Sequence, residues 1–285
     1  MGGIPPSGRS VKPTPIPFSS YESGMQPHPR HERALGIARA AVEAAAQVAR
    51  EHFERGLDVS MKADRTPVTD ADLAAEKAIL AIIEKEDPGV SILAEESGLH
   101  QKAPDRRWIV DPIDGTRGFS RGGEFWGPLV ALEEDGEVVV GAMALPARKE
   151  IYWACKGGGA FKDGTRLQVS QVDQWPEATL SLGEATRLVK GAHGPAVVEL
   201  MSTAVSTRCF GDLAGAALVL QGLAEVWLEV GVKPWDVAPS KILIEEAGGR
   251  WTTFSGGSDL ADGCAIGSNG RLHDHALERI AAALG

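Results

Sequence analysis

Hydrophobic positions between residues 31 and 55 recur at helical spacing. Leu35, Ala38, Val42, Ala45, Ala49 and Phe53 share one face, and Gly56 is a natural stop. Leu57, Val59 and Met61 then alternate as in a short strand. Pro67-Val68-Thr69-Asp70 turns the chain into a second helix over 71–86, with Leu73, Leu80 and Ile83 on its apolar side and Asp87-Pro88 at its end. Residues 90–94 and 108–110 are apolar runs that stop at acidic residues, Glu95-Glu96 and Asp111, and read as buried strands. Residues 129–132 and 138–142 flank Asp135-Gly136, the pattern of a tight hairpin. Residues 151–154 and 167–169, separated by Asp163-Gly164, extend the same antiparallel sheet. Gly157-Gly158-Gly159 lacks the Lys-Ser/Thr that completes a phosphate loop and reads as a turn.

The rhythm changes after about residue 175. Strands at 179–182, 225–230, 250–254 and 264–267 alternate with helices at 195–206, 213–221, 236–247 and 272–284, and Gly222 and Gly248 stand at helix ends. The pattern predicts an N-terminal α+β lobe over 31–172 and a C-terminal α/β lobe over 173–285, with a site between them. Seven of the 17 prolines lie in residues 1–30, which read as a mobile tail or an extended arm.

At 285 residues, with 43% hydrophobic and 24% charged residues, the chain can bury a core without disulfides or a structural metal. Its net charge of -10 argues against a nucleic-acid partner. The most apolar stretch, residues 213–230, is interrupted by Gln221, Glu225 and Glu229, so no membrane span is expected. Cys155, Cys209 and Cys264 are too few and too scattered for a disulfide framework and read as buried thiols. With no apolar signal-like core in residues 1–30, the expected location is the cytoplasm.

The chemistry concentrates in Trp108-Ile109-Val110-Asp111-Pro112-Ile113-Asp114-Gly115-Thr116. A strand delivers Asp111, Pro112 ends the ladder, and the turn can aim Asp111, Asp114 and the Ile113 carbonyl at one point. Such an all-oxygen set suits Mg²⁺ or Mn²⁺. The Gly115 and Thr116 amides can meet an anion where a helical turn opens. Further carboxylates stand at a strand end (Glu95) and at helix starts (Asp70, Asp236), positions that line a crevice. The three-residue spacing of Asp111 and Asp114 disfavours the Asp-x-Asp covalent phosphatases. No Gly-x-Ser-x-Gly or His-Glu-x-x-His motif supports a serine or zinc hydrolase.

Four segments, taken together, resemble the inositol monophosphatase superfamily of Mg²⁺-dependent, lithium-sensitive phosphatases. They are Thr69-Asp70 through Glu76, Ala94-Glu95-Glu96-Ser97, Asp111 through Thr116, and Trp235-Asp236 with Glu246-Ala247-Gly248-Gly249. The resemblance covers about residues 31–285 and implies a layered α-β-α-β-α sandwich, a homodimer, and hydrolysis of a small-molecule phosphate monoester. It implies two or three Mg²⁺ per site. Glu95, Asp111 and the Ile113 carbonyl would hold the first, Asp111, Asp114 and Asp236 the second, and Glu95 with Asp70 a weaker third. Thr116, with Glu95 or Asp70, would orient and deprotonate the attacking water, and the Gly115 and Thr116 amides would hold the phosphate. An inactive metal-binding relative is the alternative from another class, against which Thr116, Glu95 and Asp70 are all present.

Substrate choice is expected to rest on Arg208-Cys209-Phe210-Gly211-Asp212-Leu213 and on Glu229, with Asp114 also facing the substrate. The Gly211-Asp212 pair resembles the family's histidinol-phosphate phosphatases, and the acids Asp212 and Glu229 suit a cationic alcohol phosphate. Arg208 would orient Asp212 or approach the phosphate. The other substrates to weigh are inositol 1-phosphate, 3′-phosphoadenosine 5′-phosphate (Arg117-Gly118-Phe119 resembles that branch) and fructose 1,6-bisphosphate.

Overall fold

The computed structural model describes residues 29–55, 59–61, 67–103 and 105–282. The proline-rich segment before residue 29, the Gly56-Leu57 helix stop and the last residues of the chain lie outside them. The helices are α1 (Pro29–Arg55), α2 (Asp70–Glu86), α3 (Thr116–Phe119), α4 (Ala185–Lys190), α5 (Gly194–Thr203), α6 (Asp212–Leu220), α7 (Pro234–Glu246) and α8 (His273–Ala282). None is long and apolar enough to cross a membrane.

Alternation along the strands sets the layers. An eight-stranded sheet runs, edge to edge, through Thr165–Arg166, Gly159–Lys162, Glu150–Cys155, Glu137–Leu145, Gly127–Glu134, Arg106–Asp114, Ser91–Ala94 and Gly98–His100. Its strands are antiparallel, apart from the parallel pair Ser91–Ala94 and Arg106–Asp114. Trp108, Val110, Val130 and Leu132 point to one face and pack with α1 and α2. Ile109, Leu129, Ala131 and Met143 point to the other and pack with α6 and α7. A second sheet, in the order Ser206–Arg208, Thr179–Leu182, Val226–Val230, Cys264–Ser268 and Arg250–Thr252, covers the far side of α6 and α7. There Trp227 and Ala265 face α6 and α7, while Leu180, Leu182, Val226 and Leu228 face α5 and α8. Both sheets are thus buried on two faces, and the architecture is an α-β-α-β-α sandwich.

Both Asp-Gly hairpins form as their sequences predict. Asp135 and Gly136 have φ of 51° and 79°, and Asp163 and Gly164 have 50° and 86°, the left-handed pairs that tight hairpin turns require. The Gly157–Gly159 turn is held by Glu246, whose carboxylate accepts the Gly157 and Gly159 amides at 2.8 and 2.7 Å.

Several expectations are corrected. Leu73 is 60% exposed, so α2 buries Ala71, Asp72, Ala75, Glu76, Ile79 and Ile83 instead of the face through Leu73. The strand expected at 167–169 is the short pair Thr165–Arg166, beyond which only the Leu167 amide continues the ladder. The helix expected over 195–206 ends at Thr203, because Ser206–Arg208 joins the second sheet beside Thr179–Leu182. That sheet is mixed, since Cys264–Ser268 runs antiparallel to both of its neighbours. Of the three thiols only Cys155 is buried, and Cys209 is exposed.

Candidate active site

The strand Arg106–Asp114 loses register at its end: Asp111 faces Leu129, but Asp114 faces Gly127. Three residues there span two on the partner, and the resulting bulge turns both aspartates the same way. The Ile113 amide donates to Asp111 Oδ1 at 2.9 Å and fixes the first carboxylate. Gly115 follows at φ 81°, and a Cβ there would lie 2.7 Å from the Phe125 carbonyl oxygen, so the turn admits only glycine. Phe119 and Trp126, both fully buried with ring centroids 4.6 Å apart, anchor the turn against Phe53 of α1.

Asp236 arrives from the first turn of α7. Its Oδ2 accepts the Lys233 amide at 2.7 Å, which fixes the helix start. Oxygens of Asp111, Asp114 and Asp236 all lie within 4.8 Å of one another. Burial pushes the carboxyls of Asp111 and Asp114 well above the usual range, and Asp236 up to about 7. Repulsion adds to this: Glu95 acts on Asp111 and Asp236, and Asp212 on Asp114 and Asp236. Crowded, buried carboxylate oxygens fit a hard divalent metal ion.

A carboxyl raised from 3.8 unfolded to about 7 folded favours folding fully below 3.8, and that contribution is lost as pH rises through about 7. For Asp236 the loss is on the order of 4 kcal/mol. A metal ion that neutralises the cluster removes the penalty. The rise in Tm on adding Mg²⁺ should therefore grow between about pH 5 and about pH 8. A Tm increment that is flat across that range would contradict the assignment.

The structure separates two aspartates that the sequence leaves close together. Asp70 is exposed, and its Oδ2 lies 2.9 Å from His52 Nδ1. Asp72, fully buried, faces Thr116 instead. Its Oδ2 accepts the Thr69 amide at 2.7 Å and the Thr69 hydroxyl at 2.6 Å, leaving Oδ1 at 3.4 Å from Thr116 Oγ1. The Thr116 hydroxyl also sits 2.8 Å from the Ile113 carbonyl. Asp72, not Asp70, is thus the carboxylate beside Thr116. The signal for it was Thr69-x-x-Asp72, a capping box.

The start of α6 reaches the same cluster. Asp114 Oδ2 accepts the Leu213 amide at 2.6 Å, tying the start of α6 to the acidic cluster. Glu229 is buried, and its Oε2 accepts the Asp212 amide and the Trp227 indole N–H, both at 3.0 Å. Gly183 and Gly211 press on that carboxylate so closely that a Cβ on either would overlap it. Asp212 keeps a left-handed φ of 53°. Surrounding protein, with the nearby Glu184, pushes its carboxyl up to about 6, and Arg117 pulls it down. Burial, with Asp212, raises Glu229 as well. Arg208 does not join this group: it is exposed and donates to the Thr207 carbonyl at 2.9 Å. Arg117, which the sequence reading gave no site role, is the cation that Asp212 feels.

The sequence profile of the inositol monophosphatase family matches residues 31–284. The chain belongs to that family. As an inositol monophosphatase family member it is a phosphate monoester hydrolase with a metal-dependent type of site. It is 37% identical over 254 residues to a histidinol-phosphatase of Mycobacterium tuberculosis, covering 87% of this chain and 98% of that one. It is 34% identical over 247 residues to an inositol-1-monophosphatase of Mesorhizobium japonicum, covering 85% and 92%. Among solved structures, the extragenic suppressor protein SuhB of Bartonella henselae superposes with a TM-score of 0.81 at 28% identity, over 87% of this chain and 98% of that one.

Proposed function

We propose that the protein hydrolyses L-histidinol phosphate with Mg²⁺, Mn²⁺ serving as a substitute. Glu95, Asp111, the Ile113 carbonyl, Asp114 and Asp236 would hold two or three ions per site. When bound, the metal supplies a Lewis acid that activates water and stabilises the leaving oxygen. The chain's own groups do the rest. The Thr116 hydroxyl, 3.4 Å from Asp72, orients the attacking water and passes its proton toward that carboxylate. The backbone amides of Gly115 and Thr116, at the opening of α3, receive the phosphate oxygens.

The observation that carries the substrate reading is the proximity of two acids, Asp212 and Glu229, whose charges repel each other, with Asp212 one residue before the Leu213 amide that binds Asp114. Burial and neighbouring acids raise both, so a bound cation would be favoured there, and the ammonium and imidazole of histidinol phosphate supply one. The similarity to the mycobacterial histidinol-phosphatase supports the same reading. The second reading is inositol 1-phosphate, for which Asp212 and Glu229 would accept hydroxyl hydrogen bonds; the similarity to the Mesorhizobium enzyme favours it.

The test is a kinetic panel of histidinol phosphate, inositol 1-phosphate, 3′-phosphoadenosine 5′-phosphate and fructose 1,6-bisphosphate. Asp212→Asn should raise KM for histidinol phosphate by about one to two decades, since a charge-assisted hydrogen bond is worth about 1.5–3 kcal/mol. Hydrolysis of inositol 1-phosphate should change by less than about threefold. Much faster turnover of inositol 1-phosphate than of histidinol phosphate by the unmodified protein would overturn the substrate assignment and leave the metal-dependent phosphatase intact.

A further inference from the structure

We infer that Glu76 is a positioning residue for the metal site, acting through the turn that carries Glu95; this rests on the reading of Glu95 as a metal ligand. Glu76 lies one helical turn beyond Asp72 on α2 and is 4% exposed. Its Oε2 accepts the Glu96 amide at 2.8 Å, and its Oε1 accepts the Ser97 amide at 2.9 Å. Those amides belong to the three-residue reversal Glu95-Glu96-Ser97, which joins Ser91–Ala94 to Gly98–His100, with Ala94 paired to Gly98. On its other side the Glu95 amide donates to the Val110 carbonyl at 3.1 Å, so Glu95 sits beside the strand that carries Asp111.

Glu95 is therefore fixed from two directions. The strand ladder sets its distance from Asp111, and Glu76 sets the path of the chain as it leaves. A glutamate suits that task because both of its oxygens accept and neither donates. Glutamine would turn an NH₂ toward one of the two amides. Aspartate keeps the charge but loses one methylene of reach. The same helix face thus presents Asp72 to Thr116 and Glu76 to the Glu95 turn, so one rigid element aligns two parts of the site.

The experiment is calorimetric titration of the metal-free protein with Mn²⁺ and with Mg²⁺, alongside steady-state kinetics and Tm. Glu246→Gln is the control, because Glu246 holds the Gly157 and Gly159 amides in the same two-oxygen manner, in a turn with no proposed ligand. Glu76→Gln and Glu76→Asp should each weaken metal binding about 10- to 100-fold, as loss of a group that orients a ligand does. KM for the substrate at saturating metal should stay within about twofold, and excess Mg²⁺ should restore most of kcat. Glu246→Gln should lower Tm and leave the metal dissociation constants within about twofold. Metal binding unchanged in Glu76→Gln would overturn the inference. So would wild-type affinity in Glu76→Asp, which would make the effect one of charge alone, or an equal loss of affinity in Glu246→Gln. If the unmodified protein took up neither ion, the metal reading of the site would fail first, and this inference with it.

Discussion

Asp111→Asn is expected to lower kcat by about three to four decades at saturating Mg²⁺, a loss of about 4–5 kcal/mol of transition-state stabilisation. Asp111 stands at the centre of the cluster. Its oxygens lie within 4.8 Å of those of Asp114 and Asp236, and Glu95 reaches it from the neighbouring strand. In the proposed site it serves two metal ions, so losing its charge weakens both at once. Asparagine keeps the shape, including an oxygen for the Ile113 amide that now bonds to Oδ1 at 2.9 Å. The fold should therefore survive. In metal-free buffer the variant should melt no lower than the unmodified protein, because a carboxyl raised by burial and by its acidic neighbours has been replaced by a neutral group. Turnover and Tm with and without EDTA check both halves. Near-normal turnover at saturating Mg²⁺ would remove Asp111 from the metal set, and a large fall in Tm without metal would make its role structural.

The fold was legible where periodicity is strong. Asp135-Gly136 and Asp163-Gly164 announce their hairpins because two successive left-handed residues leave few alternatives. The acidic cluster was legible for a different reason. Asp111 precedes Pro112, Asp114 ends its strand beside Gly115, and Asp236 stands in the first turn of α7 after Pro234; such positions converge at the crevice of a layered fold. What stayed hidden was helix rotation. Along α2 the buried set 72, 76, 79 and 83 is spaced for one helical face, but two of its four members are acids. An apolar pattern search finds Leu73 instead, which the fold leaves 60% exposed. The polarity of the C-terminal sheet was hidden as well. Alternating strands and helices suggest parallel pairing, yet Arg250–Thr252 and Cys264–Ser268 follow each other closely enough to pair antiparallel. Arg208 and Arg117 changed places for want of side-chain direction. Arg208 lies four residues before Asp212 and turns to its own strand's carbonyl, while Arg117 approaches Asp212 from a distant segment.

The rotation of α2 yields the second large effect. Asp72→Asn should reduce kcat by about two to three decades, whereas Asp70→Asn should change it by less than about threefold. Only Asp72 can act on Thr116, because its Oδ1 lies 3.4 Å from the Thr116 hydroxyl and the side chain is fully buried. Two donors from Thr69 hold the other oxygen, so the carboxylate cannot swing away from the site. Asparagine can keep those two bonds through its oxygen, but it then presents an amide N–H₂ to Thr116 and takes up no proton. The damage should therefore fall on kcat, with KM little changed. Thr116→Ala should cost about as much, and the double variant hardly more than either single change, since groups acting as a unit do not add. Asp70 faces His52 at 2.9 Å with half of its side chain in solvent, and an exposed pair of that kind contributes about 1 kcal/mol or less to stability and nothing to the chemistry. Equal losses in Asp70→Asn and Asp72→Asn, or additive losses in the Asp72–Thr116 pair, would break the assignment.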